Sequence, residues 1–146
     1  MFSVSTRIRY GLRALAYMAA MDSEEPIAIH AIAREENISQ KYLESIFNLL
    51  KKARIVRSRR GPEGGYLLDR SPAEISAFEI FDALDGPLET VECQQLEVCS
   101  RTQVCQSRDF WCDFNNHMTG FLKMKTLEDV LKYSEQGTLV TKSMTE

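Results

Sequence analysis

Lys51-Lys52-Ala53-Arg54-Ile55-Val56-Arg57-Ser58-Arg59-Arg60-Gly61-Pro62-Glu63-Gly64-Gly65-Tyr66-Leu67-Leu68 is the stretch that decides the fold. Six of the ten residues from Lys51 to Arg60 are Lys or Arg and none is acidic, yet the 146-residue chain carries a net charge of −3. A cationic run inside an acidic protein is a local device. Residues 55–59 and 66–70 read as two strands around Gly61-Pro62-Glu63-Gly64-Gly65, whose glycines supply positive φ or room for close backbone approach. Ahead of them Leu43, Ile46, Phe47 and Leu50 recur at helical spacing. Helix, basic strand, glycine-rich turn and strand is the order in which a winged helix-turn-helix meets duplex DNA, with hairpin cations on phosphates and the helix in the major groove.

Outward from that stretch the pattern is mostly helical. Residues 5–21 form a first helix with Ile8, Leu12, Leu15 and Ala19 on one face, Ser5 or Thr6 as its cap and Asp22 at its exit. Residues 27–29 are a short extended piece after Pro26. Residues 30–36 are a short helix, Asn37 suits a turn, and Ser39 caps a longer helix through residue 53, which completes the helix-turn-helix unit. Ser76 caps a helix to residue 84, and Asp85-Gly86-Pro87 stops it. Residues 90–107 show no period and hold three of the four cysteines. Residues 108–124 form a strong helix bearing Phe110, Trp111, Phe114, Met118, Phe121 and Leu122. Thr126 caps a last helix, 127–133.

The expected fold is mainly α with a small β-hairpin wing. Residues 1–87 make the winged helix-turn-helix domain and 88–107 a cysteine-bearing sensor loop. Residues 108–135 make a dimerisation helix with a terminal helix, and 136–146 a flexible tail. The 108–124 helix is too apolar for one solvent-facing surface, and a homodimer through it presents two wings to a palindromic operator.

Charge agrees with this division. Residues 1–60 carry eleven Lys/Arg against six Asp/Glu, and residues 61–146 seven against fifteen, so the nucleic-acid partner belongs to the first part. No apolar run is long enough to span a bilayer, and the basic start has the period of a helix rather than of a signal peptide, so a cytoplasmic location is expected. No nucleophile–base pair, phosphate loop or paired carboxylate stands at a convincing spacing, which argues against an enzyme. His30 and His117 read as ordinary helix residues.

Ser39-Gln40-Lys41-Tyr42 opens the second helix of the unit, with Glu44 on the same surface. The start of a recognition helix reaches base edges. Gln40 suits adenine and Glu44 the cytosine amino group, while Lys41 and Tyr42 suit phosphates. On the wing, Arg57, Arg59 and Arg60 cannot all point one way. Arg59 and Arg60, beside Gly61 and Gly64, are the expected contacts, Arg60 with access to the minor groove. Arg7 and Arg9 are expected to clamp the backbone.

Cys93, Cys99 and Cys105 follow C-x5-C-x5-C in a polar loop. Zinc usually shows tighter cysteine pairs, and three thiolates on a pliable loop also suit an iron–sulfur cluster with a fourth ligand from elsewhere. Spacing alone leaves cluster, zinc and thiol redox chemistry open. Cys112, beside Trp111 on an apolar helix, reads as structural.

Taken together these residues resemble the IscR, NsrR, RirA and CymR group of winged-helix transcriptional regulators. The resemblance rests on Ser5-Thr6-Arg7, Arg9 to Arg13, Ile38 to Glu44, Val56 to Leu68, Asp85-Gly86-Pro87 and the three cysteines. It implies a homodimeric repressor or activator whose operator affinity is set by an iron–sulfur cluster, 2Fe–2S in preference to 4Fe–4S. It implies ligation by Cys93, Cys99 and Cys105, and recognition by Tyr42, Glu44 and Arg60. The chain departs from the pattern where IscR-type members carry histidine, here Arg108, and where NsrR-type members take an acid from the partner's first helix, here Arg9. The fourth ligand is left among Cys112, Glu92, Glu97, Asp109, His117 and a non-protein group. The alternatives to a cluster sensor are a thiol-redox or zinc-responsive regulator and a regulatory subunit that binds a metabolic enzyme.

Overall fold

The computed structural model describes residues 3–91, 99–101 and 103–144, with side chains through Glu135. Ser5 caps α1 (Thr6–Met21) by accepting from the Ile8 backbone N–H at 3.1 Å, and α1 leaves through Asp22 in the left-handed region. α2 (Ile29–Glu36) starts one residue before the position read from sequence and ends at Asn37, φ 51°. Ser39 then caps α3 (Gln40–Lys52). β1 (Val56–Arg59) and β2 (Gly65–Leu68) pair antiparallel with Val56 opposite Leu68 and Arg59 opposite Gly65.

The hairpin is not alone. Ile27 exchanges two backbone hydrogen bonds with Tyr66, each 2.9 Å, so the extended piece expected after Pro26 forms a third rung. Gly65 makes this approach feasible, since a Cβ there would lie 2.3 Å from the Ile27 carbonyl oxygen. Phe47 of α3 meets the Tyr66 ring edge-on at 4.8 Å, which ties the recognition helix to the wing.

A short 3-10 helix (Pro72–Glu74), not expected from sequence, leads to α4 (Ala77–Asp85). Ser76 and Glu79 form a reciprocal capping box at its start, and Gly86, φ 80°, ends it. α5 (Arg108–Met124) spans the residues its periodicity predicts. The described residues between α4 and α5 are turns and bends without helix or strand, in keeping with a loop.

α6 (Leu127–Met144) differs from expectation. It does not stop at residue 133, and residues 136–144, read as tail, are helical. The stretch holds no proline to break the helix. The start of α6 also belongs to the head. Leu127 is fully buried in the same cluster as Leu15, Ile32, Phe47, Ile55 and Ile80, with Leu131 packed against it. The core named for residues 1–87 is therefore closed by a residue forty positions later. No charged or polar residue is buried among the described residues.

Candidate nucleic-acid interface and cysteine loop

The start of α3 displays Gln40, Lys41 and Glu44 to solvent. Gln40 Nε2 donates to Glu44 Oε1 at 3.2 Å, so the two side chains expected to read bases lie together one turn apart. Tyr42 is half-buried, packed edge-on against Tyr10 at 5.9 Å, and Arg13 stacks over Tyr10. That cluster fixes how α3 sits on α1. Arg13 in turn binds the end of α2 through Glu36, which braces the helix-turn-helix unit.

The wing sorts its cations. Val56 points inward, and Arg57, Ser58, Arg59 and Arg60 are exposed. Arg57 pairs with Asp69 at 4.0 Å and Arg59 with Glu25 at 3.0 Å. Arg60 has no ion-pair partner among the described residues, so at the tip its charge is available to an outside anion. Gly61 holds φ 115° and accepts from Gly64 N–H at 3.0 Å. A Cβ on Gly64 would lie 2.4 Å from the Arg59 carbonyl, so this glycine keeps the tip tight.

A shallow cleft of about 460 Å3 separates the tip from the start of α2, lined by Ala28, Ile29, His30, Arg59, Arg60 and Gly61. No side chain caps α2, whose first turn has no acid. Its leading N–H groups and the positive end of its dipole therefore favour an anion. Sequence reasoning missed this element. The available signal was Ala28 where a Ser, Thr or Asp cap would normally stand.

Arg7 is placed differently from expectation. Its Nη1 donates to the Leu84 carbonyl at 2.8 Å and lies 3.5 Å from Asp85 Oδ1, so it closes the end of α4. Arg7 thus serves the end of α4, with its side chain still 45% exposed. Arg9 bonds Thr6 Oγ1 at 3.2 Å and stays exposed.

Of the three loop cysteines, Cys93 lies outside the described residues. Cys99 and Cys105 are half-exposed. Cys105 Sγ lies 3.4 Å from Ser107 Oγ just before α5. The Ser107 hydroxyl, then the Ser107 and Arg108 backbone N–H groups, hold its thiol below the ordinary value of 9.0. This favours a thiolate, the donor form that a soft metal or an iron–sulfur cluster needs. The donor chemistry fits such a group, although no set of three His, Cys, Asp or Glu side chains converges among the described residues. Of the fourth-ligand candidates, Cys112 is half-buried on α5, Asp109 is in the first turn, and His117 Nδ1 is bound to Asp113, 2.8 Å from its carbonyl oxygen. Glu92 and Glu97 lie outside the described residues.

α5 buries only Leu122 fully. Phe110, Phe114, Phe121 and Met124 recur at intervals of four, seven and three and are 63, 37, 54 and 79% exposed. Lys125 sits over both Phe121 and Tyr133, extending the apolar strip onto α6. Among the described residues no helix is long and apolar enough to cross a membrane.

Residues 4–133 match the Rrf2 family, described as an iron-dependent transcriptional regulator. The HTH-type transcriptional regulator IscR of Photorhabdus laumondii is 33% identical over 132 residues, covering 90% of this chain and 80% of that protein. Among solved structures, CymR, the global cysteine regulator of B. subtilis, has a TM-score of 0.76 at 34% identity over 91% of this chain and 98% of its own. IscR of T. potens has a TM-score of 0.75 at 30% identity over 93% of this chain and 90% of its own. The chain therefore belongs to the Rrf2 family of winged-helix transcriptional regulators.

Proposed function

We propose that this regulator is a cytoplasmic homodimer that binds a palindromic operator and that an iron–sulfur cluster on Cys93, Cys99 and Cys105 sets its affinity. The observation that carries the DNA half is the cleft between the wing tip and α2. There the unpaired Arg60 and an uncapped helix start face the same space. A phosphate seated there receives a charge-assisted bond from the guanidinium and bonds from backbone N–H groups. Gln40 and Glu44 then take base edges in the major groove, with Lys41 on the backbone. Arg7 is left out of this contact set because α4 holds it.

The sensing half rests on the donor set. Hydrogen bonds from Ser107 lower the Cys105 thiol from its ordinary value, and it stands where the loop joins α5. A bound cluster supplies a centre that oxygen, nitric oxide or iron loss alters. The chain's part is to tie its own loop to the base of the helix that bears the exposed aromatic strip.

The deciding experiment uses protein purified without oxygen. Wild type is expected to contain iron and sulfide, to absorb in the visible, and to change operator affinity when the cluster is removed. Cys93→Ala, Cys99→Ala and Cys105→Ala together should lose all three properties. Retention of visible absorbance and effector response by the triple variant defeats the cluster reading. A second reading, a thiol sensor, draws on the same Cys105 geometry and on the solved oxidized form of the Staphylococcus aureus CymR relative. Under it, the anaerobic protein holds no iron, and peroxide alone changes its DNA affinity.

A further inference from the structure

We propose that Arg7 is a positioning residue, the pin of a joint that transmits the state of the cysteine loop to the recognition helix. This rests on the sensor reading above. The guanidinium binds the Leu84 carbonyl and faces Asp85, the last residue of α4. Gly86, φ 80°, ends the helix immediately afterwards. The segment that leads to the cysteines thus starts at the point Arg7 holds.

Leu84 also faces the other way. A Cβ on Gly11 of α1 would lie 2.5 Å from Leu84 Cδ1 and 3.3 Å from Ile46 Cγ2 of α3. At Gly11 the three helices meet, with Leu84 and Ile46 packed against the same glycine, so a displacement of Leu84 bears on Ile46 there. Ile46 stands two residues after Glu44 on a helix of thirteen residues, which moves as a unit. On the outer side there is room to move. A cleft of about 660 Å3 borders Ile8, Phe81, Asp85, Leu88, Met118 and Leu122. The end of α4 thus has a tight contact toward α3, a cleft toward α5, and one arginine that holds its position.

The test uses full-length protein and a duplex enriched by the wild type from a random-sequence pool. Affinity is measured anaerobically before and after loading with ferrous iron and sulfide. Coupling between two such sites is typically about five- to 150-fold. Arg7→Ala is expected to bring the loaded-to-unloaded ratio within about two-fold of one. Its salt dependence should stay at the wild-type slope, because a residue off the phosphates releases no counterion. Amide exchange in the unloaded variant should quicken over residues 84–90 and around Ile46, with the wing unchanged. Asp85→Asn, which keeps the Leu84 carbonyl bond, should lower the ratio by less, and it serves as the test if Arg7→Ala does not fold.

A slope reduced by about one unit with both forms weakened alike would place Arg7 on DNA and overturn the proposal. A variant ratio equal to a wild-type ratio well above one overturns it alone. A wild-type ratio of one removes the sensor reading and the joint together.

Discussion

In the head, Leu15, Ile32, Leu43, Ile46, Phe47, Leu50 and Ile55 are fully buried, and Leu127 arrives from α6 to complete their packing. On α5, seventeen residues long, Leu122 is the fully buried side chain, while Phe110 and Phe121 stand more than half in solvent. Both regions have the same helical apolar period. A fully buried Leu or Phe contributes roughly 1.5–3 kcal/mol, and α5 forgoes most of that within its own chain. The difference teaches that the head buries its apolar face within one chain, whereas α5 leaves an apolar strip uncovered, the strip that the proposed dimer would cover.

The largest expected effect breaks the comparison at α5. Phe114→Asp combined with Phe121→Asp should cost about 2 kcal/mol or more per site if both lie at the centre of an interface. The dimer constant measured by sedimentation should weaken by more than about a hundredfold, with the helical signal of the head kept. An unchanged mass would mean the strip covers something other than a second copy. Next, Gly65→Ala tests the head. Its Cβ would overlap the Ile27 carbonyl, and overpacking typically costs about 1–3 kcal/mol. The melting temperature should fall while the sedimentation constant of the dimer holds.

The wing gives a smaller, sharper contrast. Arg60→Ala should weaken operator binding and flatten the salt slope by about one unit. Arg59→Ala should do less, because in the free protein Arg59 already pairs with Glu25. Equal effects of the two would mean that Glu25 releases Arg59 on binding.

The smallest effect separates the regions by pH. Burial pushes the Glu79 carboxyl up, but hydrogen bonds from the Ser76 backbone, Arg70 and the Ser76 hydroxyl together hold it below its ordinary 4.5. With the folded value depressed, its contribution is complete above about pH 4.5 and is lost as the pH falls through the folded value. Glu79→Gln should therefore lower stability by at most about 1 kcal/mol at pH 7, in line with one helix cap, and by less at pH 3. A loss that does not shrink in acid would assign the effect to packing.

Much of this was legible because local chemistry decided it. Ser5, Ser39, Ser76 and Thr126 cap the helices they announce, and Gly61 and Gly64 close the tip their spacing suggests. Gln40, Lys41 and Glu44, the proposed recognition residues, are exposed at the start of α3 because the apolar period of α3 turns Leu43 and Ile46 inward. What escaped depends on distant partners. Nothing near Arg7 in sequence announces Leu84 and Asp85, seventy-seven and seventy-eight positions away. Nor does the polar composition after Tyr133 announce a helix, since α6 owes its placement to Leu127 in the core. The cysteine spacing leaves cluster, zinc and thiol chemistry open, and the lowering of the Cys105 thiol comes from a Ser107 contact that the spacing does not announce.

The rung between Ile27 and Tyr66 has a further consequence. It joins the threshold of α2 to the hairpin by paired hydrogen bonds and a glycine with no clearance. Finger and helix threshold therefore travel as one plate, and their separation is set by the protein rather than negotiated at the duplex. If tip and threshold share a phosphate as proposed, a target whose grooves are spaced differently would have to bend to fit, and discrimination would extend to base pairs that no side chain touches.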